Sequence, residues 1–431
     1  MDIPPEIIDV ILSFLHEDTT TLLHCALVSR VWLRASRPFC KPFCAVDSRP
    51  SSTPRLLTLL NHSNCSFKDL VTRLTVYELL DRSDVDLSGH PKWLADVMIT
   101  LASHLAYIEH LVVGYTFIER DFPIPLTFSQ FRSVTKLELY SIELVSVSQL
   151  FDIVCTMPNL HSLGLDDAGW ESELVEDKQT KLFPIGLNSM RIGECYKRDI
   201  LSNLLPDNQY RGCVVETLDL GLVRPTDTPI IGQYLQFLGP SLAHLHVGFS
   251  SLDSGGDAGE FESSQLGLSA NFLMFLEDFY NACDLTANPQ LKTLSFNRLV
   301  YHSDYQLTSA VPWIFAMLLR ILPRPTLQVI FVLDVTSMDD LTRAEYPIDW
   351  KALDALITRG ESESAKLGSL LFRIRDVESV DAARQISNFI SAKLPRFEAS
   401  RGILEVAIEP LNSRKRPTTF NNALKLIPNC S

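Results

Sequence analysis

The octapeptide LHSLGLDD, Leu160 to Asp167, sets apolar side chains at Leu160, Leu163 and Leu165 with two and then one variable residue between them. Alternation is the period of a β-strand, whose successive side chains leave opposite faces. Leu163 and Leu165 therefore point to a core, and Ser162, Gly164 and Asp166 to the other side. The same spacing recurs at Val71-Leu74-Val76, Ile108-Leu111-Val113, Val134-Leu137-Leu139, Leu187-Met190-Ile192, Val215-Leu218-Leu220, Leu242-Leu245-Val247, Leu291-Leu294-Phe296 and Leu327-Ile330-Val332. Its middle positions from Leu111 to Leu245 advance by 26, 26, 27, 28 and 27 residues, then by 49 to Leu294 and 36 to Ile330. Weaker copies follow at Leu367-Leu370-Phe372 and Leu404-Val406-Ile408.

Helical spacing fills the intervals. Trp93-Leu94-Val97-Met98-Leu101-Leu105, Leu150-Ile153-Val154, Ile231-Leu235-Leu238, Phe272-Leu273-Leu276-Phe279, Trp313-Met317-Leu318-Ile321, Trp350-Leu353-Leu356 and Ile386-Phe389-Ile390 each precede a strand. Strand, turn and helix, repeated, predict an α/β solenoid over 71–410, a curved parallel sheet with helices outside. No single repeat can bury its own apolar face, so stability comes from stacking neighbours, and the ends need caps. Period and pattern resemble the leucine-rich repeat, although the Asn that usually follows the strand is mostly missing.

Ahead of the repeats stands IPPEIIDVILSFLHEDTTTLLHCALVSRVW, Ile3 to Trp32. Pro5 suits the first turn of a helix, and Ile7, Ile8, Ile11, Leu12 and Leu15 follow at helical spacing. Asp18 or a following threonine caps a second helix carrying Leu22, Leu23, Ala26 and Leu27. A third runs from Arg30 and Trp32 to Pro38. Three short helices cannot bury an apolar stripe on each, so part of that surface is expected to meet a partner. Ile3-Pro4-Pro5-Glu6-Ile7, the spaced aliphatics Ile11, Leu15 and Leu23, and Val28-Ser29-Arg30-Val31-Trp32 resemble the F-box, with Ile3 in place of the usual leading Leu. An F-box followed by degenerate repeats is similar to the large F-box families of mushroom-forming fungi. The resemblance implies a three-helix F-box over 1–45, a linker or cap over 46–70, and a C-terminal tail over 411–431. It also implies that Pro4, Ile7, Ile8, Ile11, Leu15, Leu27, Val28 and Trp32 dock on the Skp-type adaptor of a cullin ubiquitin ligase. The repeats would then bind a protein substrate, with no catalytic residue in this chain. The alternative is a repeat scaffold or sequestering protein without ubiquitin transfer.

Composition sets further bounds. The 431 residues are 46% hydrophobic and 21% charged, the balance of a folded protein. A formal charge of -14 argues against a broad phosphate-binding face, so nucleic acid is not expected as a partner. Asp2, Glu6, Asp9, His16, Glu17 and Asp18 break up the first apolar run, unlike an export signal, and no stretch offers the roughly 20 apolar residues of a membrane span. Nine scattered cysteines without paired spacing fit a reducing compartment, cytoplasm or nucleus.

A partner would read the strand residues that face away from the core. Glu138, Tyr140, Asp166, Asp219, His246 and Asn297 are the candidates for substrate binding, beside Lys136, His244 and Ser295. Two acidic stretches interrupt the repeats: SSLDSGGDAGEFESSQ, an insertion at 250–265, and DDAGWESELVED at 166–177, which lacks the alternating Asp/Asn and the sixth-position Gly of a calcium loop. Gly-rich phosphate loops, GxSxG, HExxH and CxxC are absent from the sequence, so no cofactor or metal is expected.

Overall fold

The structure is a computed structural model. It describes residues 3–15, 18–36, 45–62, 65, 68–77, 93–172, 183–205, 213–249, 279–297, 311–322, 324, 326–335, 337–343, 348–358, 367, 369–377, 379–399 and 403–410. The insertion at 250–265, the tail at 411–431, most of the Phe272–Phe279 helix and the end of the acidic stretch 166–177 lie outside them.

Each expected repeat supplies a strand. In the first compact unit, which extends to Leu187, β1 (Ala45–Ser48), β2 (Arg73–Tyr77), β3 (His110–Ile118), β4 (Lys136–Ser146) and β5 (Ser162–Ser172) pair in sequence order, all parallel. Leu74, Leu111, Leu137 and Leu163 form one in-register row and Val76, Val113, Leu139 and Leu165 the next, and all eight are buried. The helices Trp93–His104, Ile124–Phe128 and Val147–Cys155 alternate with these strands. They bury Leu94, Met98, Leu101, Phe128, Leu150 and Val154. A helix is the natural link, because parallel strands need a crossover and no hairpin can join them.

The second unit, from Asn188, continues the same grammar. β6 (Ser189–Ile192), β7 (Thr217–Val223), β8 (His244–Phe249), β9 (Thr293–Asn297), β10 (Gln328–Asp334), β11 (Ser369–Val377) and β12 (Ile403–Pro410) again pair parallel and in order. Met190, Leu218, Leu245 and Leu294 make its inward row. Phe296, Phe331 and Phe372 stack in register with centroids 5.9 and 5.4 Å apart, and Trp350 of the helix Trp350–Ile357 packs on Phe372 at 5.6 Å.

Two expectations change. The stretch 46–70, read as a linker or cap, contains β1, the helix Thr53–Asn61 and a short 3-10 turn at Lys68–Leu70. The sheet therefore starts one strand before the repeat pattern does. β1 is short and polar, with only Val46 as a buried aliphatic between Ala45 and Ser48, so no apolar spacing betrays it. The second change is register. Leu294 pairs with Val329, and Val329 with Leu370, so Val329, Phe331 and Leu333 face the helices where Ile330 and Val332 were expected. A slip of one residue exchanges the two faces of a strand. Here one residue, not two, separates Leu327 from the next inward position. Ile330 and Val332 instead form a small buried apolar cluster with Leu371 on the opposite side of the sheet.

At the N-terminus the chain forms α1 (Pro5–Ser13), α2 (Thr19–Val28) and α3 (Arg30–Ser36). Pro5 occupies the first turn of α1. Asp18 caps α2 by accepting from the Thr21 amide at 3.0 Å and the Thr21 hydroxyl at 2.6 Å. Ile8, Leu12 and Leu22 are the buried centre of the three helices, with Leu15, Cys25, Trp32 and Ala35 packed around it.

Candidate functional site

Two surfaces hold the candidate residues. On α1 the apolar positions divide into two stripes. Ile8, Leu12 and Leu15 turn inward. Ile7, Val10, Ile11 and Phe14, related by helical spacing, turn out, and Ile3 just before the helix is exposed beside them. Ile7 is 50% exposed and Phe14 82%. At the junction of α2 and α3, Val28 is 68% exposed and Val31 nearly half so. Of the residues expected to dock, Pro4, Ile7, Ile11 and Val28 are exposed. Ile8 is core, and Leu15 and Trp32 are half-buried supports of that core. The Leu27 side chain lies outside the described residues. Sequence reasoning passed over Val10 and Phe14, although their spacing from Ile7 places both on its stripe.

The remaining candidates lie, within each unit, on the side of its strands opposite the helices. In the first unit Glu138, Tyr140 and Asp166 share one patch, with Tyr140 directly opposite Asp166. Lys136 Nζ lies 2.7 Å and His110 Nε2 3.4 Å from Glu138 Oε1. His110 and Lys136 together outweigh burial and hold the Glu138 carboxyl down to about 2. Gly164 makes room for this carboxylate's stem, since a Cβ there would stand 3.2 Å from Glu138 Cγ. Tyr77, Tyr115 and Tyr140 form a row of edge-to-face rings, with centroids 5.6 and 5.1 Å apart. Tyr115, Ser141 and Asp167 all adopt left-handed backbone, with φ of 52°, 46° and 54°. The three strands kink together, and pairing resumes at Thr116, Ile142 and Ala168. Period-two reading would flag Tyr77, but Tyr115 joins the row only through its kink, which no local pattern announces.

In the second unit Asp219 lies opposite His246 and next to Arg191, whose Nε is 3.7 Å from Asp219 Oδ2. Asp219 Oδ1 also accepts from the Gly221 amide at 3.0 Å. Burial pushes the His246 imidazole below its usual value; Asp219 opposes this, and His244 and Arg373 reinforce it, leaving a neutral ring at neutral pH. Asn297 follows on β9, opposite Gly248. Ser295 lies opposite His246 and completes an Asp-His-Ser row across β7, β8 and β9. At 1% exposure, Ser295 is closed to a substrate. Lys197 is likewise enclosed: its Nζ donates to the Gly193 carbonyl at 2.7 Å, and burial lowers its pKa against the opposing Asp227 carboxylate. The buried Lys197–Gly193 hydrogen bond ties the start of the helix Lys197–Leu204 to the end of β6 and leaves the ammonium out of reach of solvent.

Among the described residues no group of three His, Cys, Asp or Glu side chains converges to hold a metal ion, and no helix is long and apolar enough to cross a membrane. No protein-family model matches the sequence, and comparison with curated proteins finds no significant match.

Proposed function

We propose that this chain is the substrate-recognition subunit of an SCF-type cullin ubiquitin ligase, with α1 to α3 as an F-box and the repeats as a protein-binding domain. One observation carries the reading: α1 turns a second apolar stripe, Ile7, Val10 and Ile11, extended by Phe14 at its C-cap and Ile3 just before it, to solvent while Ile8 and Leu12 fill its own core. A helix apolar on two sides in so small a unit is built to be covered. The resemblance to the F-box of the stretch from Ile3-Pro4-Pro5-Glu6-Ile7 to Val28-Ser29-Arg30-Val31-Trp32 supports a Skp-type adaptor as the cover, and through it a cullin. The chain then accelerates ubiquitin transfer by proximity alone, raising the effective concentration of substrate lysines near the conjugating enzyme.

Calorimetric titration of the purified chain against the Skp-type adaptor tests this. Tight binding that an Ile7→Asp, Phe14→Asp double variant loses, with its fold intact, supports the proposal. A folded, unaltered chain that ignores the adaptor overturns it and leaves the repeat scaffold.

A further inference from the structure

We infer that the tyrosine row of the first unit, at its Tyr140 end, binds a lysine or arginine side chain presented by an extended basic segment of a partner protein. The inference rests on reading the repeats as a protein-binding domain, but not on adaptor docking.

The row is constructed at some cost. Tyr77, Gly114, Tyr140 and Asp166 occupy one rung across β2 to β5. A side chain at Gly114 would meet the Tyr140 carbonyl at 2.7 Å and the Tyr77 ring at 3.2 Å. The glycine thus leaves the space in which the rings meet. All three tyrosines are partly buried, neither enclosed nor fully exposed, so the row lies at the surface and is not a core.

Its two ends differ in charge. At the Tyr77 end the chain supplies its own cation, the Arg49 guanidinium, 5.8 Å from the ring centroid. The face of a tyrosine attracts a cation through its quadrupole, and this internal contact shows the row receiving one. At the Tyr140 end the neighbours are acidic. Asp166 lies directly opposite Tyr140, and the exposed, left-handed Asp167 follows it with Oδ2 fixed by the Ser141 hydroxyl at 2.6 Å. Beyond the kink Glu143 is exposed and pairs with Gly169, whose Cβ position has no neighbour within 4 Å. A tyrosine face beside three carboxylates and open space fits a long cationic side chain, its methylenes along the rings and its head toward the acids. A proline-rich segment would use the rings but has no need of the acids.

The test uses the full chain at low ionic strength, with fluorescence-labelled alternating Gly-Arg decapeptide, its Gly-Gln counterpart and decaproline as probes. The Gly-Arg peptide should bind, about tenfold weaker to Tyr140→Ala and to Asp166→Asn, Asp167→Asn, and unchanged to Tyr140→Phe. Asp381→Asn, which removes charge from a carboxylate 83% exposed on the helix Val380–Lys393 in the other unit, should have no effect. Equal weakening by Asp381→Asn would reveal only general attraction to an acidic chain and overturn the inference. Preference for decaproline, or no binding of the Gly-Arg peptide, would do the same. A chain that binds the adaptor yet ignores the peptide loses this inference and keeps the ligase reading; the converse pattern loses the ligase reading alone.

Discussion

Ile7 and Ile8 are consecutive on α1 and face opposite environments, Ile7 half exposed and Ile8 enclosed with Leu12 and Leu22. Carboxylates placed at the two sites should therefore act differently. Ile8→Asp buries a charge without a partner and should unfold the three helices, seen as rapid proteolysis between α1 and α3. Ile7→Asp should leave them folded and abolish adaptor binding. Equal proteolysis of both variants would show that the outward stripe is part of the core.

Val329 pairs with Leu294, and this fixes which side of β10 meets the helices. Phe331→Ala should cost about 3–5 kcal/mol, because the ring is held between Phe296 and Phe372 and its loss leaves a cavity. Denaturant midpoints check this. Ile330→Ala should be costly too, about 2 kcal/mol or more, since its cluster with Val332 and Leu371 is buried on the other side.

How much of this was legible follows from what each element needs. Strands whose inward residues are Leu, Val or Ile at two-residue spacing announce themselves, and every repeat from Val71 onward supplied its strand. β1 stayed hidden because one aliphatic, Val46, suffices for a strand stacked on β2. β10 misled because Val329 to Leu333 are apolar at every position, so alternation carries no phase, and only pairing with Leu294 sets it. The candidate site was legible where it follows alternation, as at Glu138, Tyr140 and Asp166. It was hidden where a kink intervenes, as at Tyr115.

Two glycines offer a direct contrast. Gly114→Ala would drive a Cβ to 2.7 Å from the Tyr140 carbonyl, so β3 and β4 must part, at about 1–3 kcal/mol. Gly169→Ala meets nothing within 4 Å and gains the usual advantage of reduced chain entropy in the unfolded state, so it should be neutral or slightly stabilising. Thermal melts of both variants suffice. A stable Gly114→Ala protein would mean that the tyrosine row is not tightly packed.

Stability should fall in two separate steps on acidification, and each has an owner. His246 has a lowered pKa in the folded chain because burial disfavours its charge. Below its unfolded value of about 6.5 the unfolded chain therefore binds more protons, and stability declines as pH falls from there toward the folded value. Glu138 is lowered too, to about 2, chiefly by His110 and Lys136. Its contribution is complete above the unfolded carboxylate value of about 4.5 and disappears as pH falls through the folded one. Denaturation midpoints measured from pH 8 to 3 should show His246→Gln flattening the upper step and Glu138→Gln the lower, each leaving the other in place. If His246→Gln left the upper step in place, the buried imidazole of His246 would not be the group that titrates there.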